Sequence, residues 1–303
     1  MLARANRDKP CALATLVGST GSTYRKPGAR MLVLPDGTAR GVLSGGCLEE
    51  EVWRIALGVI SDNRSQLVTF DTRKLYGCDG SVDIFIERIP PDEGQGNFLT
   101  QVGAKLRARE ICRTRTWTGS EEGRSEILPD TVLVVERDDT FVQTIPLPVR
   151  LLLFGQGPEI APLRWFASGL GWLIHSYALP SHFSVDVRAD SQTAALVMNH
   201  NFGRDLASLE RLLPLALPYI GLLGPKRRQA ELLSHFYDFS NLEAGFLPAI
   251  HAPAGLDIGS ESPEEIALSI LSEVSAVLSR RNGGFLRDKT SPIHQTTLIG
   301  KEA

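Results

Sequence analysis

A chain of 303 residues exceeds the roughly 100–200 residues of a common single domain, so two domains are expected. Hydrophobic residues at 43% and charged residues at 22% are ordinary globular usage and exclude collagen-like and disordered classes. With 32 basic against 35 acidic side chains the formal balance is −3, which supplies no overall positive field for a phosphate backbone, and nucleic acid is not an expected partner.

The opening MLARANRDKPCALATLVG has basic residues but only a short apolar run and no small-residue cleavage site. No apolar run approaches the ~20 residues a bilayer needs, so no membrane association and a cytoplasmic location are expected. Cys11, Cys47, Cys78 and Cys112 lack the tight spacing of a zinc ribbon or a disulfide framework. Any functional cysteine here would act as a thiol.

In chain order, CALATLVG, ARMLVLP, QLVTF and SVDIFIER are short β-branched and apolar runs bounded by Gly, Pro and Asp, and predict strands. Between the second and third, Leu48, Val52, Ile55, Ala56 and Val59 recur at helical spacing, predicting an amphipathic helix that starts near Gly46. A further helix is expected over FLTQVGAKLRARE, then strands at TVLVVE and FVQTI, before Pro146 and Pro148 break the pattern. The domain boundary is placed there, giving residues 1–148 and 149–303.

From Arg150 the pattern becomes strand LLLFG, helix from about Pro158 to Ser168, strands WLIHSYA and TAALVM, helix RDLASLERLL, strand YIGLLG and helix KRRQAELLSHFY. Strands alternating with helices predict a parallel sheet with right-handed crossovers, so the fold class is α/β, a mixed N-terminal domain followed by a Rossmann-like one. The last helix is signalled by Ser262 as N-cap, Pro263 at the first helical position and Glu265 three residues after the cap.

Three constellations carry chemistry in the first half. In SGGCLEEE, Gly45 and Gly46 free the backbone just before Cys47 and a helix start, where backbone amides lower a thiol pKa and suit an anion. The alternative is a plain turn with Cys47 as a small buried hydrophobe. In YGCDGSVDIFIE, Cys78 lies between Gly77 and Asp79-Gly80 on a loop before a strand, either as an exposed functional thiol or as a passive one. GSTGSTYRKPGARML offers amides at Gly18 and Gly21, hydroxyls at Ser19, Ser22 and Thr23, and the cations Arg25, Lys26 and Arg30, which suit a phosphate or carboxylate as well as a solvated loop.

The segments GSTGSTYRKPGARMLVLPDG, SGGCLEEEV and GCDG, followed by FGQGPEIAPL, YIGLLGPKRR and PAGLDIGSESPEEIALSI, resemble in order the signatures of the XdhC/CoxI family of xanthine dehydrogenase accessory proteins. The resemblance runs from about residue 12 to residue 282. It implies a maturation factor, not a turnover catalyst, that binds molybdenum cofactor (molybdopterin with its metal). Such a factor holds the cofactor while a cysteine desulfurase partner supplies its terminal sulfido ligand, and delivers it to an apo xanthine-dehydrogenase-type hydroxylase of purine catabolism. A homodimer is also implied. Soft thiolates suit molybdenum and sulfur, so Cys47 and Cys78 become the candidate metal-proximal or sulfur-handling residues. Arg25, Lys26 or Arg30 would take the terminal phosphate, and Glu49 would accept N–H groups of the pterin.

In the second half, FGQGPEI follows a strand and opens a helix, with Gly155 and Gly157 permitting the turn and a close phosphate approach, but Ile160 stands at the third glycine position. WLIHSYALPSH supplies no acidic residue for a ribose, so NAD(P) is not expected. The family's Thr-His-Asp-His cluster after the next strand reads MNHNF here, leaving only His200. A scaffold that recruits hydroxylase and desulfurase without touching cofactor, and an NAD(P)-dependent oxidoreductase, are the alternatives.

Overall fold

The structure, a computed structural model, describes residues 8–290 apart from 22, 47, 72–79, 95, 121, 133–136, 185–188 and 240–248. The chain divides into two compact units, Met1–Leu147 and Pro148–Ala303.

The first unit is built on a five-stranded antiparallel sheet. Its strands are β1 (Cys11–Gly21), β2 (Arg30–Val33), β3 (Ala39–Gly41), β4 (Gln66–Asp71) and β5 (Gly80–Ile89), in the order β3-β2-β1-β5-β4. Alternation decides the two faces. Ala12, Ala14, Leu16, Met31, Val33, Val82, Ile84 and Ile86 pack on Val52, Ala56 and Val59 of α1 (Glu49–Asp62). The helix starts at Glu49, three residues after Gly46, and the Glu49 side chain folds back to accept amides of the preceding loop. The Trp53 indole donates to the Gly37 carbonyl at 2.7 Å and pins α1 to the β2–β3 turn.

On the other face, Cys11, Leu13, Leu32 and Ile89 pack against Phe98 and Leu99 of α2 (Phe98–Arg107). A second, three-stranded sheet follows, made of β6 (Cys112–Trp117), β7 (Ser125–Leu128) and β8 (Thr140–Ile145) in the order β7-β6-β8. Strands β6 and β7 are not anticipated by the sequence reading, because CRTRTW buries Cys112, Thr114 and Thr116 where aliphatic residues would signal a strand. The strand expected at TVLVVE lies mostly outside the described residues.

The second unit is a five-stranded parallel sheet of β9 (Arg150–Gly155), β10 (Leu173–Tyr177), β11 (Thr193–Met198), β12 (Tyr219–Leu222) and β13 (Ile250–His251), ordered β10-β9-β11-β12-β13. Strands β9, β11 and β12 are buried along their whole length, as a sheet covered on both faces requires. On one face lie α3 (Ile160–Gly169) and α6 (Pro263–Leu278), and on the other α4 (Phe202–Leu212); α5 (Lys226–Phe239) follows β12. The order reverses between β9 and β11, so the crevice beyond their C-terminal ends is the topological switch point where such folds place ligands. Among the described residues no helix is long and apolar enough to cross a membrane.

Candidate functional site

In the first unit, several strand ends meet at one end of the five-stranded sheet. Strand β1 ends at Gly21, which pairs with Gly80 at the start of β5, and β4 ends at Asp71, which pairs with Ser81. Strand β3 ends at Gly41 opposite Met31, near the start of β2. The described strand ends that border the segments 22–29, 42–48 and 72–79 therefore lie at one end of the sheet, and those segments carry the three constellations singled out from the sequence. Cys47 and Cys78 themselves lie outside the described residues, so their contacts do not enter this geometry. The described cysteines, Cys11 and Cys112, are buried. Burial pushes the Cys11 thiol up to about 11 against the pull of Arg88, and raises Cys112 against Lys105 and Arg30, so neither is a reactive thiolate.

The loop before α1 is held by its own side chains. One Glu49 carboxylate oxygen accepts the amides of Leu43 at 3.0 Å and Ser44 at 2.7 Å. The other accepts the Ser44 hydroxyl at 2.6 Å and the Leu48 amide at 3.2 Å. The Ser44 hydroxyl oxygen in turn accepts the Gly46 and Leu48 amides. Burial alone would raise the Glu49 pKa, but the hydrogen bonds from the Ser44 hydroxyl and amide, its own amide and Leu43 outweigh it and hold the carboxyl below its usual range. Gly46 has φ +109°, which a side chain would resist, while a Cβ on Gly45 would only graze Tyr24 at 4.0 Å.

Of the sequence candidates, Arg25 and Lys26 are exposed on the 22–29 loop, and Tyr24, 67% exposed beside Gly45, links that loop to the 42–48 loop. Thr20 and Ser81 share a hydroxyl hydrogen bond of 2.7 Å across the β1–β5 end. Arg30 departs from the expectation of a phosphate ligand. It pairs with Thr15 on the face opposite α1, reaches Thr114 at 3.4 Å and offsets the buried Glu87. Burial raises the Glu87 pKa, opposed by the Ser125 hydroxyl and amide and by Arg30. Glu49 likewise departs from the role of a free pterin acceptor, because both its oxygens are engaged by the loop. Sequence reading missed Ser44; its signal is a hydroxyl just ahead of the Gly-Gly pair and five residues before a helix-starting glutamate. Among the described residues no group of three or more His, Cys, Asp or Glu is placed to hold a metal ion.

At the switch point of the second unit, Gly155 has φ +133° and a Cβ there would overlap the Met198 carbonyl, so its role is to let β9 turn against the end of β11. A Cβ on Gly157 would overlap the Glu159 carboxylate and lie 3.2 Å from His200 Nε2. That carboxylate oxygen is buried without a hydrogen-bond partner among the described residues and stands 3.9 Å from His200 Nε2. The Glu159 carboxylate thus lies against Gly157 in the turn after β9, and Pro158 has no backbone N–H to donate there. Asn199 donates its amides to Asp205, which pairs with Arg228.

Residues 4–71 match the model of the XdhC and CoxI family, and residues 151–274 match that of the XdhC Rossmann domain, so a match falls in each unit and the two together span more than half of the chain. The chain belongs to the XdhC and CoxI family. Its likeness to a probable xanthine dehydrogenase subunit from Bacillus subtilis (strain 168) is 29% identity over 309 residues, spanning 86% of this chain and 91% of that one. The molybdenum cofactor insertion chaperone PaoD of Escherichia coli (strain K12) is 25% identical over 278 residues, with 89% of this chain and 84% of PaoD covered. A crystal structure described as a xanthine dehydrogenase from Bacillus halodurans superposes with a TM-score of 0.75 at 26% identity, over 94% of this chain and 96% of that one. The relationship therefore extends through both units of this XdhC-family chain. Within it, Asn199 hydrogen-bonds Asp205 and Ser208 of α4, Asn201 caps that helix, Phe202 opens it partly exposed, and His200 faces Glu159.

Proposed function

We propose that this chain binds molybdenum cofactor, supports its sulfuration and inserts it into an apo xanthine-dehydrogenase-type molybdenum hydroxylase. The cofactor is cargo, and the chain is a carrier with no turnover of its own. The observation that carries the reading is that the strand ends bordering the segments 22–29, 42–48 and 72–79 lie at one end of one sheet, in a chain related to a molybdenum cofactor insertion chaperone.

Residues 1–148 handle the cofactor in this reading. Cys47 and Cys78 supply the soft donors that suit molybdenum or a transferred sulfur. Arg25 and Lys26 neutralise the terminal phosphate from an exposed loop, and Gly45 and Gly46 let the backbone approach. Ser44 and Glu49 act as positioning residues that hold the loop around position 47. Residues 149–303 form the Rossmann-like domain, which takes no NAD(P) because Glu159 occupies its glycine turn. The partners are the apo-hydroxylase and a cysteine desulfurase; the chain works in the cytoplasm as a homodimer.

Reconstitution tests the reading. Apo xanthine dehydrogenase from cofactor-deficient cells is mixed with sulfurated molybdenum cofactor, either free or preloaded on this protein, beside an excess of competing apoprotein. Hydroxylase activity recovered faster from the preloaded cofactor is expected, whereas equal recovery would remove the insertion role.

A further inference from the structure

The second unit carries an apolar groove between α3 and α6, closed by residues 280–289, that nothing in the cofactor-handling reading uses. Its volume is about 1650 Å³. Trp165 is 72% exposed at its wall, Phe285 70%, Leu286 65% and Leu170 57%, with Leu268 of α6 also exposed. Side chains of this size lose most by facing water, and a cluster of them is far from the scattered single apolar residues of an ordinary surface.

The rim is cationic in a chain whose net charge is −3. Arg280 and Arg281 follow α6 and line the groove, and the Arg287 guanidinium lies 4.4 Å over the Phe285 ring. The acid on this stretch, Asp288, is 3.7 Å from Arg287. A second copy using the same groove would bring a second cationic rim to the contact, whereas an acidic partner complements it. Two walls are helices and the third is the 280–289 segment, with no strand edge among the lining residues, so a helix laid into the groove fits better than an added strand.

We infer that this groove docks an acidic, amphipathic helical segment of the apo-hydroxylase, with Trp165 and Phe285 as apolar anchors and Arg280 and Arg281 pairing with carboxylates at the rim. The inference rests on the insertion role for the identity of the partner, but not on the cofactor-binding loops of the first unit. Aromatic anchors in a desolvated centre carry most of the binding energy in such interfaces, and rim charges set rate and salt dependence.

The test is biolayer interferometry of immobilised full-length protein against cofactor-free xanthine dehydrogenase, at two salt concentrations, with cofactor retention and mass by light scattering measured in parallel. Trp165→Ala is expected to weaken binding by about tenfold or more. Arg280→Glu,Arg281→Glu is expected to weaken it similarly and to flatten its salt dependence. Both variants should keep wild-type melting, retention and mass. Variants that bind the hydroxylase as the wild type does would overturn the groove as the docking site, as would a change of mass showing that it joins two copies. A wild type that retains cofactor but binds no hydroxylase would overturn the docking partner and leave cofactor handling standing. A wild type that binds the hydroxylase but retains no cofactor would do the reverse.

Discussion

Glu49 illustrates how a single carboxylate can be committed to architecture at the mouth of a site. Its two oxygens hold three amides and a hydroxyl of the loop before α1. Glu49→Ala leaves those donors to compete for water and is expected to cost about 1–3 kcal/mol, read by urea unfolding. Because the folded pKa is depressed, this stability is full above the ordinary carboxylate pKa and is lost as pH falls through the folded value; unfolding curves from pH 7 to 3 should show the wild type converging on the mutant. Arg30 and its neighbours in sequence separate in the same way. Arg25→Ala,Lys26→Ala should weaken cofactor retention with no change in melting. Arg30→Ala should lower the melting temperature, since it leaves the buried Glu87 without its nearby cation. The residue types around each loop were legible in the sequence. That Glu49 and Arg30 turn inward was not, because only the paired register of β1 with β2 and the fold-back of the 43–48 loop decide which way they face.

Elements followed local pattern where one face of the segment meets a core. Helix α1 and strands β1, β2, β4 and β5 read correctly because Val52, Ala56, Val59, Ile84 and Ile86 keep helical or alternating periods. The three-stranded sheet was read only at β8, since threonines fill its inward positions and arginines its outward ones on β6. Ile84→Ala, at a position with 0% exposure in the sheet–helix core, should cost about 2–5 kcal/mol. Ser262→Ala should cost about 1 kcal/mol, because it removes one half of a reciprocal capping box that the structure contains. Both costs are measurable by equilibrium denaturation of the full chain.

Across the whole molecule, two kinds of surface separate by unit. The first unit gathers glycines, hydroxyls and cations at one sheet end, with two sequence-identified thiols on the same loops. The second unit has the topology of a nucleotide fold, with the Glu159 carboxylate and Pro158 in its glycine turn, and fold class alone does not fix what it binds. On the proposed function, the chain holds molybdenum cofactor through Cys47 and Cys78. The most direct measurement is the molybdenum and pterin content of the purified full-length protein after anaerobic incubation with the cofactor and gel filtration, beside the folded Cys47→Ala,Cys78→Ala variant. Near-stoichiometric retention by the wild type and its loss in the variant are expected; equal retention by both, or none by the well-folded wild type, would contradict the claim.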